Sequence, residues 1–148
     1  PEASNFELLT IDNWHFEGIQ VEPAFEIQGE SITDLYNSQL FPDCRKDNEI
    51  NFRELKHIYA LSDKGERCHQ GILIGQLGIW ELNDSETGIN IYFLNDTISA
   101  SINYLNIDRL SFSYSGVSLL PLGIQSKFDK PHKVTINLNH KHTSSDLD

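Results

Sequence analysis

Ile98-Ser99-Ala100-Ser101-Ile102-Asn103-Tyr104 alternates apolar and polar side chains at every step. Successive side chains of a β-strand point to opposite faces. The stretch therefore predicts a strand with Ile98, Ala100, Ile102 and Tyr104 on a buried face and Ser99, Ser101 and Asn103 on a wet one. Leu110, Phe112 and Tyr114 repeat the pattern against Ser111, Ser113 and Ser115, and Val134, Ile136 and Leu138 repeat it against Thr135, Asn137 and Asn139. Three such segments joined by short polar turns predict an antiparallel meander.

Upstream, residues 71–82 are apolar on both faces, which predicts a central strand bent or bulged at Gly75 or Gly78. A polar turn at 83–88 leads into a strand with Ile89, Ile91 and Phe93 on one face, and Asn95-Asp96 makes the next turn. Near the N-terminus, 6–11, 16–21 and 24–28 read as three short strands, with Pro23 separating the last two and Gly29 ending the last. Two helices are expected between these halves. Over 31–41, Ser31 is the N-cap, Asp34 suits the first turn, Ile32, Leu35, Tyr36 and Leu40 share a face, and Pro42 stops the helix. Over 52–63, Asn51 and Glu54 resemble a capping box, Phe52, Leu55, Ile58 and Tyr59 form the stripe, and Gly65 follows as the stop. The expected fold is α+β, mainly β: one antiparallel sheet, a meander or a sandwich, with two short helices. The 148 residues suit a single domain, 1–148, with an ordered core over about 6–142.

The formal net charge is −11. Such a surface repels the phosphate backbone and anionic lipid, so neither nucleic acid nor a membrane is an expected partner. Nine acids and no Lys or Arg fall before Arg45, and the rest holds 13 acids against 11 bases. Those nine acids are spaced among apolar residues, which predicts a folded segment with an acidic face. Nothing at the N-terminus combines a basic region with an apolar one, so no signal peptide is expected and the cytoplasm is the expected compartment. The alternative is an exported or periplasmic protein with a Cys44–Cys68 disulfide.

No catalytic signature is present, neither a Gly-x-Ser-x-Gly elbow, nor a Walker A loop, nor His-Glu-x-x-His. Asp43, Cys44, His57, Cys68 and His69 have the ligand types zinc uses but not the spacing, so no metal site or other cofactor is expected. His132 and His140 share the parity of the core-facing residues on the last strand, as does His142, and read as packed or solvated histidines. Glu81, Asp84 and Glu86 are carboxylates of an exposed turn and lack the cleft that acid–base catalysis needs. Trp14, His15, Phe16, Trp80, Tyr92, Tyr104 and Tyr114 could supply a stacking surface, with Tyr104 and Tyr114 at core parity and Trp14 placed in a loop.

Charge and the lack of a reaction centre point to a non-enzymatic acidic domain that recognises and masks a basic protein partner, such as a toxin met by an immunity or antitoxin protein. The expected partner-binding residues are Glu17, Glu22, Glu26, Glu30 and Asp34, with Trp14 and Tyr36 as aromatic anchors. The alternatives are a β-sandwich module for carbohydrate or another ligand, using the polar sheet face, and a structural or adhesive domain of an exported protein.

Overall fold

A computed structural model describes residues 4–39, 41, 46, 49–62, 74–94, 96–122, 124 and 127–140. After one helical turn and a half, α1 (Asn5–Thr10), the described chain is almost entirely strand. The strands are β1 (Trp14–Ile27), β2 (Glu30–Asp34), β3 (Glu49–Phe52), β4 (Ile58–Ser62), β5 (Ile74–Leu82), β6 (Gly88–Phe93), β7 (Asp96–Leu105), β8 (Arg109–Gly116) and β9 (His132–Asn139). From β3 to β9 each strand pairs antiparallel with the next, β1 pairs with β3 on one side, and β1 pairs with β9 on the other. Eight strands thus close into an up-and-down barrel, and β2 extends from the free length of β1 as a ninth.

The expected α+β fold is corrected to this barrel, and the physical reasons are local. In place of a helix over 31–41, Gln28 and Gly29 both take positive φ, 50° and 84°. Two such residues make the tight turn that returns a strand on itself, so Ile27 faces Glu30 and the chain runs back as β2. The β-branched pair Ile32-Thr33 suits a strand, and Ile32 is buried opposite Phe25. In place of a helix over 52–63, Lys56 and His57 take φ of 59° and 51°, values an α-helix cannot hold. They turn a hairpin between β3 and β4, and Leu55, assigned to the apolar stripe, is 76% exposed. Gly65 lies outside the described residues. The expected strand at 6–11 is the helix α1, opened by a capping box in which Ser4 and Glu7 satisfy each other's backbone. Pro23 does not divide β1: it falls where pairing to β9 has ended at Glu22 and pairing to β2 resumes at Phe25, so no partner needs its missing N–H.

The meander stands where alternation put it. One side of the barrel wall is built in three buried rungs: Phe16–Leu138–Leu110, Ile19–Ile136–Phe112 and Val21–Val134–Tyr114. A bulge at Glu17-Gly18 lets Phe16 and Ile19 face inward although their spacing is odd. A second bulge leaves Asn103 unpaired, which turns Tyr104 outward, 44% exposed, against its expected core parity. A third, at Gly75, is the bulge the sequence predicts in β5. Gly78 is needed for space, because a Cβ there would sit 3.0 Å from the Phe93 ring and from the Tyr92 carbonyl.

The lumen is filled. The Phe52 ring lies 5.4 Å from Tyr59, 5.5 Å from Trp80 and 6.4 Å from Phe112. Each fully buried side chain of this size contributes roughly 1.5–3 kcal/mol. At one end α1 caps the barrel: Trp14 Nε1 donates to the Leu9 carbonyl at 3.1 Å, and Phe6 stacks 5.4 Å from Trp80. At the other, the β8–β9 connection folds over the opening. Leu119, Leu122 and Ile124 are buried there. The Tyr59 hydroxyl donates to the Pro121 carbonyl at 2.6 Å and the Tyr114 hydroxyl to that of Ser118 at 2.8 Å.

Burial raises both phenols well above their ordinary value of 10.0, with Tyr114 adding to Tyr59 and Asp96 to Tyr114. The unfolded chain ionises near pH 10 while the folded one stays protonated. Stability is therefore full below pH 10 and falls above it, by about 1.4 kcal/mol per pH unit for each tyrosine. The denaturation midpoint should drop steeply above pH 10 in the wild type and about half as steeply in Tyr59→Phe. A midpoint flat to pH 11.5 would contradict the burial.

Candidate functional site

β1 continues beyond the barrel rim as an arm with β2, and the β8–β9 connection lies against it. Between them is a pocket of about 470 Å³ lined by Ala24, Phe25, Glu26 and Ile27 of β1, Leu119 and 127–130 of the connection, and His132 at the start of β9. Three rings form its apolar corner. Phe25 meets Phe128 edge-on at 4.9 Å, Phe128 lies 4.4 Å from His132, and Phe25 lies 6.0 Å from His132. His132 is 3% exposed and its Nδ1 is 2.7 Å from the Pro23 carbonyl oxygen. A carbonyl only accepts, so Nδ1 carries the hydrogen. Lys127 and Lys130 line it together with the acids Asp129 and Glu26, and the Glu26 carboxylate accepts the Ser31 hydroxyl from β2. Amphipathic enclosure of this size suits a small organic molecule.

The sequence missed this site. Its one signal is the length of the 117–131 connection, since antiparallel neighbours are usually joined by roughly 2–5 residues and longer loops are often functional.

The residues that sequence singled out are scattered. Trp14 is fully buried and stacks 3.6 Å from His140, which removes it from any surface. Glu17 sits toward the α1 end, 3.6 Å from Arg109 and accepting from Asn139 Nδ2 at 2.9 Å. Glu22, Glu26, Glu30 and Asp34 are exposed on the β1–β2 arm, with Glu22 facing Lys133 in the ladder. Asp34 is bound into its own turn, accepting from Asn37 N at 3.2 Å and Asn37 Nδ2 at 2.7 Å. Tyr36 is half-buried, 5.6 Å from Phe41. The arm therefore gathers four of the five acids and neither end of the set provides an exposed aromatic anchor.

The remaining candidates are structural in their placement. Tyr92 donates its hydroxyl to Glu81, which raises the phenol above its ordinary value, and Glu86 accepts from Asn5 N at 3.0 Å. His57 is exposed, stacked 5.1 Å from Trp80. His140 Nδ1 meets the Asn13 carbonyl at 2.7 Å. Among the described residues no three His, Cys, Asp or Glu side chains converge as metal ligands. Asp43, Cys44, Cys68, His69 and His142 lie outside them. A second, polar cleft near α1 holds Glu49, 8% exposed, which accepts from Asn13 Nδ2 at 3.1 Å and pairs with His15 at 3.1 Å. Serine and asparagine line the outer side of β7 and β8, but Ser111 and Ser113, expected on a wet face, are buried, with Asn103 donating to them at 3.1 and 2.8 Å.

No protein-family model matches the chain, and its comparison with curated proteins gives no match. No helix among the described residues is long and apolar enough to cross a membrane.

Proposed function

We propose that this protein is a small-molecule-binding β-barrel whose site is the pocket at the barrel mouth. The observation that carries the reading is the contrast between a lumen packed with side chains and an open aromatic corner just outside it. An eight-stranded barrel is wide enough either to be filled or to hold one small ligand. Here the rings of Phe52, Trp80 and Phe112 take the lumen, which leaves the mouth as the place for a guest.

A library of small aromatic and aliphatic fragments, followed by protein NMR, should shift the resonances of Phe25, Phe128 and His132 together. Ala24→Trp, which fills the pocket from β1, should abolish those shifts without lowering the melting temperature by more than a few degrees. Hits that survive Ala24→Trp, or a library that shifts none of the three, would refute the reading.

A second reading, recognition of a basic protein, is favoured by the exposed Glu22, Glu26, Glu30 and Asp34 on one arm. Opposite charges on facing surfaces speed encounter and are screened beyond about 8–10 Å at physiological salt. A partner held through this arm should be basic, bind at about 50 mM salt, and lose roughly tenfold or more in affinity to the quadruple variant E22Q/E26Q/E30Q/D34N, a loss that shrinks in high salt. Equal binding by the variant would end this reading.

A further inference from the structure

We infer that the free edge of β2 takes an added strand from a basic protein, a strand with an apolar residue flanked two positions away on each side by Lys or Arg. The inference rests on the reading of the β1–β2 arm as a surface for a basic partner and names how that partner is held. A strand that ends a sheet presents unpaired N–H and C=O groups, and an extended segment of another chain binds by pairing with them. β2 is such a strand. It ends the strand order, and among the described residues β1 is its only neighbour.

The hairpin sets which backbone groups face outward. Gln28 and Gly29 form a two-residue turn of positive φ between Ile27 and Glu30. In such a turn the carbonyl before it accepts from the N–H after it, so Glu30 directs its N–H at β1. Bonding alternates along an antiparallel strand, and Ile32 therefore faces β1 as well. Ser31 and Thr33, both exposed, turn their N–H and C=O groups the other way.

The side chains set which strand fits. Glu30, Ile32 and Asp34 share one face of β2, and Ser31 and Thr33 share the other, where the Ser31 hydroxyl meets Glu26. Ile32 is buried opposite Phe25, while Glu30 and Asp34 are exposed, Asp34 also accepting from Asn37. An added strand thus meets acid, apolar and acid on one face and two hydroxyls on the other. From Glu22 to Asp34 the chain holds four acids and no Lys or Arg, so nothing on this stretch repels a cation. Opposite charges directly across from each other stabilise a strand pair, and like charges destabilise it. The same rule disfavours a second copy of this chain, because antiparallel pairing of two β2 strands about Ile32 sets Glu30 against Asp34 twice. The acids that keep copies apart are those that match a basic strand.

Two peptides of one composition test the pattern on the full chain. In acetyl-Thr-Lys-Thr-Val-Thr-Lys-Thr-amide both Lys lie on the Val face, and in acetyl-Thr-Thr-Lys-Val-Lys-Thr-Thr-amide both lie on the opposite face. In NMR titrations at low salt the first should shift the amides of Ser31 and Thr33 and bind about fivefold more tightly than the second. Thr33→Pro removes an outward N–H and no internal bond, so it should keep the melting temperature within a few degrees and weaken the first peptide to the level of the second. Peptides that bind within twofold of each other, or no binding by either, would overturn strand addition. Concentration-dependent shifts of the same amides in the protein alone would also overturn it, by giving the edge to a second copy. The variant E22Q/E26Q/E30Q/D34N then separates the two readings: a basic protein that still binds it more weakly leaves the acidic arm standing as a partner surface, and one that binds it equally removes both.

Discussion

The antiparallel pairing of β1 with β9 is the constraint on which the rest depends. Residues 15–22 meet residues 133–139 in seven register pairs, from His15–Asn139 to Glu22–Lys133. Without this ladder the meander would be an open sheet with its apolar face half covered. With it, the wall closes, and the three rungs that include Phe16, Ile19 and Val21 become interior. Among the described residues, closure on the other side of β1 is far lighter, through Trp14–Ile50 and His15–Glu49. The remainder of that edge is therefore free for β2, which is why the arm projects past the rim.

The mouth pocket follows from that geometry. β1 is long enough to seal the barrel and then continue as one wall of a pocket, while the β8–β9 connection plugs the lumen with Leu119, Leu122 and Ile124 and supplies the opposite wall with Phe128. Two buried tyrosine hydroxyls, those of Tyr59 and Tyr114, tie the plug to the barrel through backbone carbonyls. The same segment therefore closes the core and shapes the site.

Much of the second half was legible because a one-sided strand writes its burial directly as a period of two. Ile98 through Ser101 and Val134 through Asn139 did so, and a bulge at Gly75 was visible as a glycine in an otherwise apolar run; β8, buried on both faces from Leu110 to Tyr114, and Tyr104, turned outward by its bulge, did not follow the pattern. The first half was misread where short strands separated by hairpins mimic helical spacing. Ile32, Leu35 and Tyr36 fit one helix face, yet Gln28-Gly29 and Lys56-His57 turn the chain back before a helix can propagate. Ser4 and Glu7 carried a capping box that the apolar residues between and after them concealed. Closure itself was not legible, because it joins segments more than a hundred residues apart and no local pattern encodes that pairing. For the same reason Trp14, whose neighbours include the distant His140, read as a loop residue. Glu22, Glu26, Glu30 and Asp34 are exposed on the arm while Glu17 lies with Arg109 toward the other end, and Phe25, Phe128 and His132 come together only through the fold.

The most direct test of a filled lumen beside an open mouth is the location of xenon in a pressurised crystal, since xenon enters dry apolar space of sufficient size and little else. The account predicts a single strong site in contact with Phe25 and Phe128. Xenon inside the barrel, among Phe52, Trp80 and Phe112, would contradict it.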